Sequence, residues 1–224
     1  MKKVCLSAVA ALAASVSAPA LAQDDRAGSI QVKAFATAVF ADAEITDVEL
    51  DDFGLPAGTQ SAANDNVTPT VAIEYFLSNN FSLETIAGVT QHDVDGRGAL
   101  DGAELVSDLR IIPATLTAKY HFDLGEGFKP YIGAGPAYFI IFNDDAGADV
   151  AALGVTDVDL TNEFGIALQA GADIELNEGF GLSIDAKRYF IDTDARFFVD
   201  STEIIRTEHK LDPWVVSAGA YFRF

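Results

Sequence analysis

The chain has 224 residues, half of them hydrophobic, and carries 34 acidic against 14 basic side chains, a formal net charge of −20. An acid excess of this size excludes a nucleic-acid partner, whose footprint is basic, and no run of eighteen apolar residues exists to form a membrane helix. Positive mean hydropathy beside so large a charge points to a protein whose apolar and charged parts are separated in space.

The chain opens with Lys2 and Lys3, then a small-sided apolar stretch from Val4 to Val16, then Pro19-Ala20-Leu21-Ala22 before Gln23. A basic start, an apolar core and an A-x-A site predict a secretory signal peptide over residues 1–22. Cys5, the only cysteine, precedes the apolar core, so it is not a lipoprotein attachment site. With it gone, disulfides and thiol chemistry are excluded. Residues 23–224 remain, about 200 residues, enough for one domain.

From there the pattern repeats with period two, the mark of a strand with two unlike faces. The first strand, Gly28 to Phe40, sets Ile30, Val32, Ala34 and Ala36 against Gln31, Lys33, Phe35 and Thr37. The second, from about Thr68 to Leu77, sets Val71, Ile73 and Tyr75 against Thr70, Ala72 and Glu74. Ser78-Asn79-Asn80 makes a tight turn into the third strand, Phe81 to Thr90, whose polar face holds Ser82 and Glu84. The fourth, Leu109 to Phe122, sets Leu116, Ala118 and Tyr120 against Thr115, Thr117, Lys119 and His121. Residues 123–127 turn the chain into a glycine-rich fifth strand, Phe128 to Phe142, whose faces the pattern does not assign. The sixth, Glu163 to Leu176, has Gln169, Gly171, Asp173 and Glu175 on its polar side. Asn177-Glu178-Gly179 leads to the seventh, Phe180 to Ile191, with Ser183, Asp185 and Lys187. The eighth, Glu208 to Phe224, sets Trp214, Val216, Ala218, Ala220, Phe222 and Phe224 against Val215, Ser217, Gly219, Tyr221 and Arg223.

Three short turns alternate with four long loops. An even number of strands of about ten residues, one face continuously apolar and the other charged, predicts an all-β fold: an eight-stranded antiparallel up-and-down transmembrane β-barrel, closed because lipid tolerates no open sheet edge. A lipocalin-like soluble barrel would put its apolar face inside, where these strands carry Lys33, Glu74, Glu84 and Lys119. Trp214 and Phe224 are ten steps apart, about 25 Å vertically at ~3.3 Å per step and a ~40° tilt, so each belongs at one interface girdle. Ser217, Gly219, Phe222 and Phe224 resemble the C-terminal signal by which outer-membrane barrels are handed to their assembly machinery.

A hairpin at Ser78–Asn80 pairs Leu77 with Phe81 and therefore Glu74 with Glu84. Like charges directly opposed are destabilising, so cations must neutralise them. Lys33 and Lys119 lie on the flanking strands, and Lys187, Asp185 and Arg223 add to the set. These seven residues predict a salt-bridge network in the periplasmic half of the lumen that blocks water and ions; a hydrated pore in which they never touch is the alternative.

The loops carry the charge. Residues 41–66 hold seven acidic and no basic side chains, and residues 143–162 hold five and none. Such a rim attracts cations and suits either divalent-cation bridging to lipopolysaccharide or plain solvation. Within it sit apolar islands: Phe53 and Leu55, Leu153 and Val155, Phe197 and Phe198. They predict an apolar vestibule over the barrel, or loops that pack on each other. Asp93-Val94-Asp95-Gly96, with Asp101 and Glu104, lacks the offsets of a calcium loop. His92, His121 and His209 are scattered, so no metal or cofactor is expected. No Gly-x-Ser-x-Gly elbow occurs, and no enzyme is expected.

Leu211-Asp212-Pro213-Trp214 leading to Tyr221-Phe222-Arg223-Phe224, the run Ile112 to Phe122, Lys129-Pro130-Tyr131-Ile132-Gly133-Ala134-Gly135, and Ser183-Ile184-Asp185-Ala186-Lys187 with Asp192-Thr193-Asp194 together resemble the OmpW family of small outer-membrane barrels. The resemblance covers nearly all of the expected mature chain. It implies a Gram-negative outer-membrane protein among lipid and lipopolysaccharide, with a narrow lumen that passes small hydrophobic molecules. A structural or envelope-stress barrel with a closed lumen and surface-exposed loops is the second expectation. The acidic loops are where the sequence departs from the family, and they leave the ligand unidentified.

Overall fold

The computed structural model describes residues 26–124 and 127–224. The expected signal peptide and Gly125–Glu126 of the second short turn lie outside the described residues. The elements in chain order are β1 (Ile30–Phe40), β2 (Glu44–Asp51), β3 (Thr59–Ala63), β4 (Asn66–Phe76), β5 (Phe81–Ala87), β6 (Thr90–Gly98), β7 (Glu104–His121), β8 (Phe128–Phe142), β9 (Asp145–Ala146), α1 (Ala148–Ala152), β10 (Asp157–Leu160), β11 (Glu163–Asn177), β12 (Phe180–Phe190), β13 (Asp192–Val199), β14 (Thr202–Lys210) and β15 (Trp214–Arg223).

Eight of these close a barrel in the order β1-β4-β5-β7-β8-β11-β12-β15 and back to β1, every neighbour antiparallel. Alternation decides which face is which. Ile73, Leu116, Ile166, Ile184 and Val216 stand exposed on the outside, while Lys33, Glu74, Lys119 and Lys187 are buried inside. Phe81–Tyr120 and Tyr120–Phe122 edge contacts, 5.0 and 4.9 Å between ring centroids, and the Phe222–Phe224 pair form the periplasmic girdle. Trp214 and the Tyr138–Phe164 pair stand at the other rim. The Glu74–Glu84 register is as the hairpin requires.

The long loops are largely strand. The third and seventh strands break at Gly88–Val89 and at Ile191, then run on as β6 and β13; the eighth breaks at Leu211–Pro213, below β14. The expected single run from Glu208 to Phe224 is thus two strands, because Pro213 offers no N–H and Asp212 takes a positive φ of 28°. Likewise β7 begins at Glu104 rather than Leu109, and β2 and β3 fill the first acidic stretch. Above the membrane the wall divides into two sheets. One is β10-β13-β14-β2; the other is β3-β6-β7 with β9. Hydrophilic residues alternate with apolar ones here too, so bends at proline, glycine and left-handed residues, rather than loss of strand pattern, mark where barrel ends and mouth begins.

Candidate functional site

The lumen is layered. In its periplasmic half, Lys33 Nζ lies 2.9 Å from Glu74, 3.3 Å from Glu84 and 3.2 Å from Asp173. Lys119 Nζ lies 3.0 Å from Glu74 and 2.8 Å from Glu84, and Lys187 Nζ lies 3.2 Å from Glu84 and 2.8 Å from Asp185. All are buried. Neutral donors fill the remaining lone pairs. Gln169 Nε2 donates to Glu84 and to Asp185, the Tyr131 hydroxyl to Asp185, Ser183 to Asp173 and Ser82 to Glu74. Charges taken out of water need this degree of satisfaction to be tolerated. The Tyr131 ring lies under the two ammonium groups, 3.6 Å from Lys119 Nζ and 4.8 Å from Lys33 Nζ. Beneath, Arg26 reaches His121, whose Nε2 meets Glu74 at 2.8 Å.

Glycines make this crowding possible. A Cβ on Gly133 would lie 2.9 Å from Lys119 Cγ, and one on Gly171 would lie 2.5 Å from the Tyr131 hydroxyl. The glycine-rich β8 therefore faces its Lys129, Tyr131, Ala137, Phe139 and Ile141 inward.

Six of the seven residues expected in the network meet in one chain of ion pairs. Arg223 does not join them; it pairs with Glu175 at 3.0 Å, partly exposed at the periplasmic rim. Asp173, Gln169, Tyr131, His121 and Arg26 were not among the expected members. Asp173 and Lys33 sit on strands that are not neighbours in the wall and meet across the lumen.

Above the plug, Phe35 packs on Ala72 and Ile86, and Thr37 bonds Thr70 at 2.7 Å and Ser217 at 2.9 Å. Next comes an apolar cavity of about 70 Å³, walled by Val39, Ile111, Phe139, Tyr189, Leu211 and Val215 among others. Its polar lining groups bond to the wall or to one another: Thr115 to Tyr189, Thr90 to His92, Thr68 to the carbonyl of Val89 and Thr193 to that of Thr161. A second cavity of about 300 Å³ lies above it, walled by Phe53, Leu55, Leu153, Val155 and Phe197 from three excursions. Leu105, Phe197 and His209 line both cavities. Five of the six expected vestibule residues are thus brought together. Phe198 is not, because adjacent residues of a strand face opposite sides: Thr193, Ala195 and Phe197 of β13 are buried toward the mouth, and Phe198 points away.

The wall beside the lower cavity has a seam. The β4–β5 ladder ends at Val71–Ala87, β5–β7 ends at Ile86–Thr115 and β6–β7 resumes at Thr90–Ile111. Gly88 and Val89 lie in the gap, facing Pro69 and Pro113, neither of which can donate to a ladder. Of the expected girdle and assembly residues, Trp214, Phe222 and Phe224 face outward, while Ser217 faces the lumen hydroxyls and Gly219 packs against the Ala34 carbonyl of β1.

The sequence profile of the OmpW family matches residues 26–224. The uncharacterised outer-membrane protein y4mB of Sinorhizobium fredii is 34% identical over 171 residues, 76% of this chain and 71% of its own. The dibenzothiophene metabolism operon protein PahQ of Pseudomonas aeruginosa is 29% identical over 165 residues, 73% of this chain and 74% of its own. Among solved structures, that of the outer membrane protein OprG from Pseudomonas aeruginosa superposes with a TM-score of 0.79 at 26% identity, over 88% of this chain and 96% of OprG.

Proposed function

The chain belongs to the OmpW family, a group of non-catalytic barrels of the Gram-negative outer membrane, and on that premise we propose that it carries small apolar molecules inward through its upper lumen and releases them sideways into the membrane. The observation that carries this reading is the stacking of two apolar cavities on a buried charged plug. A hydrocarbon-like solute gains by leaving water for the upper cavities, whereas the plug offers it only buried charge. The way onward is the seam at Gly88–Val89, where side chains rather than a backbone ladder join the strands. A relative whose name places it in a dibenzothiophene metabolism operon is consistent with apolar cargo.

Uptake of an apolar fluorescent probe into liposomes, with and without the protein, tests the reading. Equal rates would sink it and leave the second expectation, a closed structural barrel. Outer-membrane lipid and lipopolysaccharide surround the belt in this reading, and the assembly machinery takes hold of β15 through its two terminal aromatics. The aligned carboxylates of Asp194, Glu208 and Asp47 on the mouth's outer face suit cations shared with lipopolysaccharide phosphates.

A further inference from the structure

Two buried histidines have no part in the plug. His92 on β6 and His209 on β14 both stand above the membrane, since the residues alternating with them on the outer face are Gln91, Asp93, Glu208 and Lys210. Each grips one end of the excursion that carries β2 and β3. His209 Nδ1 lies 3.1 Å from Ser61 Oγ, which donates to the Ala43 carbonyl at 2.5 Å, and 3.4 Å from that carbonyl itself. His92 Nδ1 meets the Asn64 carbonyl at 2.7 Å. Ala43, at a positive φ of 58°, leads into β2; Asn64 follows β3.

The grip matters because β2 and β3 belong to different sheets. Among the described residues β2 pairs only with β14 and β3 only with β6. Among the described residues no backbone bond crosses between them. What crosses is the Gln60 side chain, which mimics a strand by accepting from Ile45 N at 3.0 Å and donating to Ile45 O at 3.1 Å, and the Ser61–His209 chain. The mouth cavity lies directly behind, lined by Ile45, Thr59 and His209.

We propose that His92 and His209 are positioning residues that hold the mouth shut along the β2–β3 edge, and that protonating them lets the two sheets part and exposes the cavity. In the neutral ring Nδ1–H donates to the excursion, and Nε2 accepts from Thr90 Oγ1 at 2.9 Å in His92 and from Thr207 Oγ1 at 2.7 Å in His209. Leu109 of β7 and Thr193 of β13 stand opposite the two rings, and Ile45 of β2 is paired with His209. The gripped carbonyls of Asn64 and Ala43 favour the imidazolium, as do the charges of Asp65 and Asp93 on His92 and of Asp194 on His209. Burial outweighs these and lowers both rings below the ordinary imidazole value of 6.5. The shut form therefore binds fewer protons than the open one. Its advantage is complete above pH 6.5 and is lost as pH falls from there through the lowered values, about tenfold in the shut-to-open ratio for each unit of lowering.

The proposal rests on the transport reading for its purpose, but its test does not. Val155→Cys places a thiol in the buried wall of the mouth cavity, and Phe53→Cys serves as a half-exposed control. The ratio of their labelling rates by a charged, membrane-impermeant thiol reagent is measured at pH 7.5 and pH 5 on the full barrel in liposomes. The expected result is a rise at pH 5, abolished in the His92→Asn/His209→Asn pair. Ser61→Ala is expected to raise the ratio already at pH 7.5. A ratio that does not change with pH, or that changes equally without the histidines, overturns the proposal whether or not the barrel moves an apolar probe.

Discussion

Lys119 Nζ stands 3.0 Å from Glu74 Oε2 and 2.8 Å from Glu84 Oε2, so a single ammonium bridges two carboxylates that face each other directly across β4 and β5. Without a shared cation, that pair could not remain ionised in a dry lumen.

Lys119→Met is therefore expected to destabilise the barrel by about 3–5 kcal/mol, the usual cost of stripping one partner from a buried charge group. Urea titration of the folded barrel in liposomes, read by loss of its heat-modifiable gel mobility, measures this. Lys33 still touches both carboxylates, so the low end of the range is expected. The same variant is expected to leak ions in planar bilayers. An unchanged midpoint together with silent bilayers would show that the plug neither stabilises nor seals.

The mouth offers a paired test. Leu55→Asp puts a charge in the wall of the 300 Å³ cavity. A ligand that loses roughly 55 Å² of apolar contact at ~25 cal/mol per Å² loses about 1.4 kcal/mol, a tenfold rise in Kd. Phe198→Asp lies past the register shift, outside the lining of either cavity, and is expected to leave affinity unchanged. Titration of an apolar fluorophore against both variants measures the difference; equal losses would count against a defined vestibule.

How much of this was legible in the sequence depends on distance. The Glu74–Glu84 pairing followed from a three-residue turn and simple counting, and Lys33 and Lys119 from being on adjacent strands. The alternation turns Asp173 inward, yet its bond to Lys33 crosses the lumen between strands that are not neighbours, which counting along hairpins does not reach. Tyr131 is not legible as a member because glycines at 133 and 135 erase the alternation that would assign its face. The face of Arg223 alone points to the plug; its height in the barrel puts it beside Glu175 instead. The upper wall reads as loop in the sequence because its strands are short and acid-rich, and β2 has no buried position to mark a two-residue period.

The lateral way out can be stapled. A Cβ built on Gly88 lies 3.2 Å from Thr70 Cβ, slightly inside the ~3.5–4.5 Å range of disulfide-linked Cβ atoms, and Cys5 in the expected leader is the chain's only other cysteine. Thr70→Cys/Gly88→Cys, oxidised, is expected to slow uptake of an apolar probe and to recover on reduction. Uptake indifferent to the redox state of the pair would place the release point elsewhere.

Tyr131 separates hydrogen bonding from ring electrostatics inside the plug. Its hydroxyl donates to Asp185 Oδ2 at 2.8 Å, and its ring lies under Lys119 and Lys33. Tyr131→Phe removes only the hydroxyl. Asp185 keeps Lys187 and Gln169 as partners, so the expected loss is that of one charge-assisted bond, about 1.5–3 kcal/mol, at the low end because the acceptor is not orphaned. Tyr131→Leu removes the ring as well. A desolvated cation–π contact is worth about 2 kcal/mol, and the smaller side chain leaves space beside two buried ammonium groups that water can fill. Tyr131→Leu is therefore expected to be less stable than Tyr131→Phe by about 2 kcal/mol or more, and to conduct ions where Tyr131→Phe does not. Urea midpoints and single-channel recordings on the two variants measure both differences. Equal stability of the Phe and Leu variants would mean that the ring merely fills space and that the lysines are held by their carboxylates alone.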